Sequence, residues 1–366
     1  MPGVYIHIPF CRQICLYCDF YRSASLALKG EVLGAIDREL DARSGYLPVG
    51  SVRTLYFGGG TPSVCDPQEI GVLTEQVRRI WKVGKFEEAT LEANPDDLTP
   101  QYLAEIRAAG VDRLSIGVQS FDDGHLSRMN RRHTADQAVR AVEDAQAAGF
   151  GNITIDLIYG LPWMTPAEWD ANLWRAVSLG VQHISAYHLA IEPGTIFAKR
   201  GLAPAGERTS RLHYDMLRRR LADAGFEHYE ISNFARPGFK AVHNSLYWSG
   251  EHYLGAGPSA HSYNGTTRQW NPAGNKQYLE GAGPQSERLT ETDRFNEMIM
   301  TRLRTADGLP VDEVENLFSA RHAQQIKAKA EPYIERGVMT CTPDGRLAID
   351  PGYFLVSDSV ISSFFE

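Results

Sequence analysis

The sequence predicts an α/β protein organised on a parallel sheet, and three observations point there. Six short apolar runs alternate with helical segments at barrel-like spacing between residues 4 and 189. Each run ends in glycine, proline or a polar residue, the composition expected where a parallel sheet gathers its functional groups at the carboxyl ends of its strands. The chain has 366 residues, 43% hydrophobic and 22% charged, ordinary for a globular protein with a sizeable core.

Val4 to Ile8 reads as the first strand, with Ile6 and Ile8 on one face and Tyr5 and His7 on the other. Pro9 ends it. Leu28 to Arg43 reads as a helix presenting Val32, Leu33, Ile36 and Leu40 to one side. Val52 to Phe57 is a second strand that runs into G-G-G-T-P at residues 58–62. Asp66 is a good N-cap and Pro67 a good first residue for a helix to Trp81. The alternation continues with strands at Glu88–Glu92, Asp112–Val118, Asn152–Tyr159 and His183–Leu189. The helices between them run over Pro100–Ala109, Thr134–Ala148 and Pro166–Leu179. After Arg208 the pattern changes. A helix to Ala224 and a short strand at Phe226–Ile231 precede a Gly-, Asn- and aromatic-rich stretch from Asn233 to Gly283. Helices at Asp293–Leu303, Val311–Phe318 and Ala323–Arg336 then lead to a hairpin across Pro343-Asp344-Gly345, the order of a small winged-helix-like domain. The expected divisions are 1–232, 233–285 and 286–366.

Several function classes are disfavoured. A net charge of −8, with no Lys/Arg-rich recognition helix in the winged-helix-like end, argues against nucleic-acid binding and for a packing role there. No run of 18 apolar residues suggests a membrane span, and no signal peptide is read at the N-terminus. Five cysteines, three of them crowded together, suit a reducing cytoplasm.

Those three, Cys11, Cys15 and Cys18, form C-x3-C-x2-C directly after the first strand. Free cysteines behave as small buried hydrophobes and should scatter through a core. Three thiolates can hold three irons of a [4Fe-4S] cluster and leave the fourth open. A zinc site would need His7 as fourth ligand, and a disulfide would leave one cysteine over. The glycines at 58–60 allow a ligand close to the backbone, and free backbone groups of Gly59 and Gly60 are expected to bond a small polar molecule; a tight turn would explain them equally well.

C-x3-C-x2-C after the first strand and G-G-G-T-P after the second resemble the radical S-adenosylmethionine (radical SAM) superfamily. With G-V-Q-S-F at 117–121 and D-L-I-Y-G-L-P at 156–162, the chain resembles the oxygen-independent coproporphyrinogen III oxidase-like family. The resemblance implies a partial (β/α)6, TIM-like barrel and a cofactor set of one [4Fe-4S] cluster on Cys11, Cys15 and Cys18 plus SAM. Matched by motif, it implies Tyr5 and Tyr17 beside the cluster and SAM. Gly59, Gly60, Thr61 and Glu92 would contact SAM, with Gln119, Arg131 and Asp156 at further SAM positions and Ala190 as a backbone contact. The alternative for Arg131 and Asp156 is a salt bridge closing the barrel rim.

Two departures separate this chain from the oxidase. The oxidase carries a further cysteine two residues past the third cluster cysteine, where this chain has Phe20, and an N-terminal extension that this chain lacks. Both resemble the family's haem-chaperone branch, as does H-N-x-x-Y-W at His243, Asn244, Tyr247 and Trp248. Histidine ligates haem iron and aromatic rings offer flat apolar surface to a porphyrin. His243 is therefore the first candidate axial ligand and His261 the second; local hydrogen bonding and packing would be the structural explanation. The resemblance implies haem as cargo, delivered to haem-acceptor proteins, respiratory ones among them, with an electron donor as a further partner. The competing expectation is an enzyme, either the coproporphyrinogen oxidase itself or another radical SAM enzyme acting on a porphyrin; a third is an interaction protein using its winged-helix-like end.

Overall fold

The computed structural model describes residues 1–366. Six parallel strands follow the alternation read from the sequence: β1 (Gly3–Ile8), β2 (Thr54–Gly59), β3 (Glu88–Ala93), β4 (Arg113–Gln119), β5 (Ile153–Tyr159) and β6 (His183–His188). Between them run α1 (Lys29–Ala42), α2 (Pro67–Trp81), α3 (Pro100–Ala108), α4 (Asp123–Arg128), α5 (Ala135–Ala147) and α6 (Pro166–Ser178). The predicted face of α1 is the buried one: Val32, Leu33, Ile36 and Leu40 all lie in the core. Asp66 is the N-cap residue of α2, and its N–H donates to the Glu69 carboxylate (2.8 Å). The short helix α4 is new; Asp122 caps it by accepting from the His125 N–H.

The six strands do not close on themselves. After α7 (Ile196–Lys199) and α8 (Glu207–Asp223), β8 (Asn233–Ala235) pairs antiparallel with β6, and β7 (Glu227–Glu230) pairs antiparallel with β8 at the sheet edge. The chain then crosses the barrel's lower end as α9 (Val242–Trp248) and returns to the other edge. There β9 (Tyr253–Ala256) pairs parallel with β1, and β10 (His261–Tyr263), β11 (Thr267–Trp270) and β12 (Gln285–Arg288) continue antiparallel, with α10 (Asn275–Leu279) between the last two. One twelve-stranded sheet results, ordered β12-β11-β10-β9-β1-β2-β3-β4-β5-β6-β8-β7. The Gly- and aromatic-rich stretch thus contributes four short strands to this sheet. Its strands are three or four residues long, too short to show the alternation that marks a strand in sequence.

The C-terminal part contains α11 (Glu291–Arg302), β13 (Leu309–Pro310), α12 (Val311–Leu317) and α13 (Ala320–Glu335), then β14 (Met339–Cys341), β15 (Arg346–Ile349) and α14 (Ser357–Ser362). Three helices against a small antiparallel sheet, ordered β13-β15-β14, match the winged-helix-like reading. No helix is long and apolar enough to cross a membrane.

Register places the functional side chains. Tyr5 pairs with Tyr56 and His7 with Gly58 across β1 and β2, while Glu92 on β3 is level with Ser115 on β4. Strand alternation sends these side chains to one side, into the barrel, and sends Val4, Ile6 and Ile8 under the helices, where all three are fully buried.

Candidate cluster and SAM site

The cysteine loop leaves β1 at Pro9 and is tied down along its length. The Cys11 N–H donates to the Ser23 carbonyl (3.0 Å) and the Leu16 N–H to that of Met129 (3.2 Å). Asn130 donates from its side chain to Ile14 O (2.7 Å) and accepts at its own carbonyl from the Gln13 side chain (2.8 Å). Cys11, Cys15 and Cys18 are all free thiols, so the disulfide alternative is absent. His7 does not complete a zinc site. Its ring lies under Gly59, with Nδ1 bonded to the Tyr5 hydroxyl (3.2 Å) and Nε2 to the Tyr21 carbonyl (3.3 Å), and no three ligand-type side chains converge on a single ion position. Burial pushes the Cys11 thiol up to about 11, against a smaller lowering by Thr61, and raises Cys18 as well. Metal binding must therefore displace protons that these thiols hold firmly.

Two donors address these sulfurs. Arg131 Nη1 donates to Cys15 Sγ (3.2 Å) and Thr61 Oγ1 to Cys11 Sγ (3.4 Å). Arg131 Nε is buried with no partner at all. A thiol set already receiving hydrogen bonds, beside a buried cationic donor still uncommitted, fits a thiolate-held cluster with an anionic ligand next to it.

The glycine turn is used differently from expectation. The Gly60 N–H donates to Ile8 O (2.9 Å), the Thr61 N–H to Phe10 O (2.8 Å) and the Gly59 N–H to Glu92 Oε2 (3.1 Å). These donors are spent on holding the turn against the cysteine loop and β3, so they are not free for a ligand. Close approach is what requires glycine here. At Gly59 φ is +110° and a Cβ would lie 2.5 Å from the His7 ring; at Gly60 it would lie 2.8 Å from the Phe10 backbone.

Glu92 sits at the end of β3 with its carboxylate held by Gly59 and by the Tyr56 hydroxyl, which donates to Oε1 (2.8 Å). Desolvation pushes it up to about 7, outweighing these hydrogen bonds, and the Asp156 charge adds to the rise. Asp156 on β5 accepts from the Ser115 hydroxyl (3.2 Å) and is raised by burial to about 6. No salt bridge joins it to Arg131, whose Nη2 instead donates to Asn94 Oδ1 and Gly117 O (both 2.6 Å). Tyr17 lies beside Arg131, its hydroxyl 3.5 Å from Nη1. Gln119 ends β4 at a register shift and adopts φ +67°, a strained conformation of the kind found at functional sites. Ala190 lies exposed just beyond β6. Sequence reasoning missed Tyr56, Ser115 and Asn94 as supports. The inward alternation of β2 and β4 and the strand-end position of Asn94 carried the signal.

The two candidate haem ligands are not brought together. His243 lies at the opposite, amino-terminal end of the strands. The buried Glu88 carboxylate accepts from the N–H groups of Val242 (2.8 Å) and His243 (2.9 Å), seating α9 beneath β3. The His243 ring is 1% exposed, and both nitrogens are taken, Nδ1 by the Thr54 hydroxyl (2.8 Å) and Nε2 by that of Tyr247 (2.9 Å). In this conformation the imidazole has no free nitrogen and no solvent access. His261, at the start of β10, is exposed, and its ring is stacked with Trp270 at 6.2 Å between centroids.

The radical SAM superfamily model matches residues 5–173, and that of the HemN C-terminal domain matches residues 289–355. The protein named heme chaperone HemW from Mycobacterium tuberculosis strain H37Rv is 36% identical over 98% of this chain and 93% of its own length. The protein of that name from Escherichia coli K12 is 35% identical over 92% of this chain and 91% of its own. Coproporphyrinogen III oxidase (HemN) from Escherichia coli, a solved radical SAM enzyme, covers this whole chain and 90% of its own at a TM-score of 0.85 and 23% identity, a likeness of fold. With its thiol loop, glycine turn and open barrel in place, and with relatives above one-third identity along nearly its full length, the chain belongs to the radical SAM family of the heme chaperone HemW.

Proposed function

We propose that this protein is a haem chaperone that binds haem and passes it to acceptor proteins, on a core carrying a [4Fe-4S] cluster and SAM. The observation that carries the reading is the match to proteins named heme chaperone HemW, which runs through both the barrel and the C-terminal region. Phe20 supports it. The ring is 71% exposed two residues after Cys18, where the oxidase has a further cysteine.

In this reading Cys11, Cys15 and Cys18 hold three irons, and Arg131 offers its free Nε to the SAM carboxylate. Glu92, with Gly59 and Tyr56 on its two oxygens, fixes the wall against which SAM lies. The cluster, when bound, supplies the electron that can cleave SAM reductively. Tyr5, Gly60, Thr61, Gln119, Asp156 and Ala190 complete the SAM side. His261 is the haem ligand reached first; His243 joins only if α9 leaves Glu88. An electron donor would approach the groove of about 840 Å3 beside the cysteine loop, where Ile14 and Leu16 face Arg128 and Arg200. Five unpaired cysteines suit work in the cytoplasm.

The test offers haem and coproporphyrinogen to the reconstituted protein without oxygen, with SAM and reductant. Haem should bind near one per chain and coproporphyrinogen should persist. Its conversion to protoporphyrinogen would establish the oxidase and remove the chaperone assignment.

A further inference from the structure

Arg131 holds an unusual position among the charged side chains of the site. It follows α4 in a turn bound to the cysteine loop through Met129 and Asn130, so its guanidinium is delivered together with the loop. Asn94 and Gly117 fix Nη2 at 2.6 Å each, and this fork directs Nη1 onto Cys15 Sγ at 3.2 Å. No carboxylate forms an ion pair with it; the nearby Asp96 is engaged by Arg132. The positive charge is thus left for the sulfur. Thr61 makes the corresponding neutral contact at Cys11.

We propose that Arg131 sets the reduction potential of the cluster through its charged hydrogen bond to Cys15, in addition to any contact with SAM. The proposal rests on the cluster assignment and is independent of haem. Cluster potentials follow net charge and hydrogen bonds to the sulfurs. One electron makes a cluster held by three thiolates more negative, and a fixed cation on a ligand sulfur favours that reduced state. Charge-assisted hydrogen bonds are about twice as strong as neutral ones, so Arg131 outweighs Thr61.

The experiment is an anaerobic redox titration of the reconstituted protein followed by EPR. Dithionite donates one electron per cluster and is itself oxidised to sulfite; no protein bond forms or breaks. At a fixed solution potential, Arg131→Gln should lower the reduced-to-oxidised ratio roughly tenfold, equivalent to about 59 mV for a one-electron couple. Arg131→Lys keeps the charge and should recover most of this, whereas Thr61→Val should shift the ratio the same way by less. Wild-type potential in Arg131→Gln with an intact cluster overturns the proposal. Should Arg131→Gln fail to take up a cluster, pulsed EPR of reduced wild-type protein carrying 15N-arginine decides. A nitrogen coupling supports the hydrogen bond, and its absence overturns it. Wild-type protein that never takes up a cluster overturns the cluster assignment and this proposal together.

Discussion

Replacing His243 with alanine separates a floor residue from a haem ligand. The imidazole bridges two hydroxyls, Thr54 Oγ1 at 2.8 Å and Tyr247 Oη at 2.9 Å, and its ring packs on Tyr56 at 5.0 Å between centroids. Thr54 is fully buried, so truncation strands its hydroxyl; a buried polar group left without a partner costs about 1–3 kcal/mol. Tyr247 loses its bond too, and the vacated ring volume adds a cavity term. Together these come to about 4 kcal/mol. Unfolding entropy of ~2.1 cal/mol/K per residue, taken over one cooperative unit of this length, converts that to a fall in Tm of roughly 5 °C. Calorimetry and a haem titration well below Tm are the paired assays. His243→Ala should lose the stability and keep its Soret band and haem affinity within about twofold. His261→Ala should keep its Tm and lose at least tenfold in affinity. A His243→Ala protein with unchanged Tm and no Soret band would refute the reasoning, because it would make the imidazole a ligand and structurally dispensable.

Two further outcomes follow from the site. Gly59→Ala places a methyl 2.5 Å from the His7 ring at φ +110°, where a side chain costs about 1–2 kcal/mol before any clash; denaturant melts should show a loss above 2 kcal/mol, and a neutral result would mean that β1 and β2 are not held as described. Glu92 and Asp156 titrate near 7 and 6 when folded, above their usual 4.5 and 3.8, so the folded state binds more protons across that window. Stability contributed by their protonated forms is present below the lower values and lost as pH rises through 6 and 7. Glu92→Gln with Asp156→Asn should flatten the stability profile between about pH 4.5 and 7, whereas an unchanged slope in urea melts would show that other groups set it.

The sequence revealed what depends on local spacing and left obscure what depends on distant partners. Cys11, Cys15 and Cys18 are close in the chain, and the alternation of Tyr5 with Ile6 is visible within one strand. Strand position then places Glu92 and Gln119 at the carboxyl ends of β3 and β4, whereas Asp156 lies at the middle of β5. The role of Arg131 depends on Cys15, 116 residues away, and on Asn94, 37 residues away. His243 is a harder case. Its residue type and motif suit haem, but its environment is created by Thr54 and by Glu88, which lies 155 residues earlier. A histidine is free or saturated according to such contacts, and residue type says nothing about them. The glycine turn misled for a related reason. Its donors looked available because their partners lie elsewhere in the chain: Ile8 at the end of β1, Phe10 in the cysteine loop and Glu92 on β3.

The two motifs lie at opposite ends of the same three strands, yet they share a continuous set of contacts. His243 packs on Tyr56, Tyr56 donates to Glu92, and Glu92 accepts from Gly59, whose turn lies against the cysteine loop. Tyr5 spans the same gap from β1, stacked on Tyr56 at 5.9 Å and within 6.5 Å of the His243 ring. The floor therefore fixes the rotamer of Tyr56, the side chain that orients the Glu92 carboxylate. Rings constrained on both faces change position together, since a close-packed interior admits discrete arrangements more readily than gradual deformation. If α9 is to release His243 for iron, Thr54 and Tyr56 lose their partner in the same event, and Glu92 loses the support of a fixed Tyr56. On the proposed assignments, haem held by His243 and SAM seated against Glu92 would compete for one set of side chains, whereas haem held by His261, out on β10, would leave that set untouched.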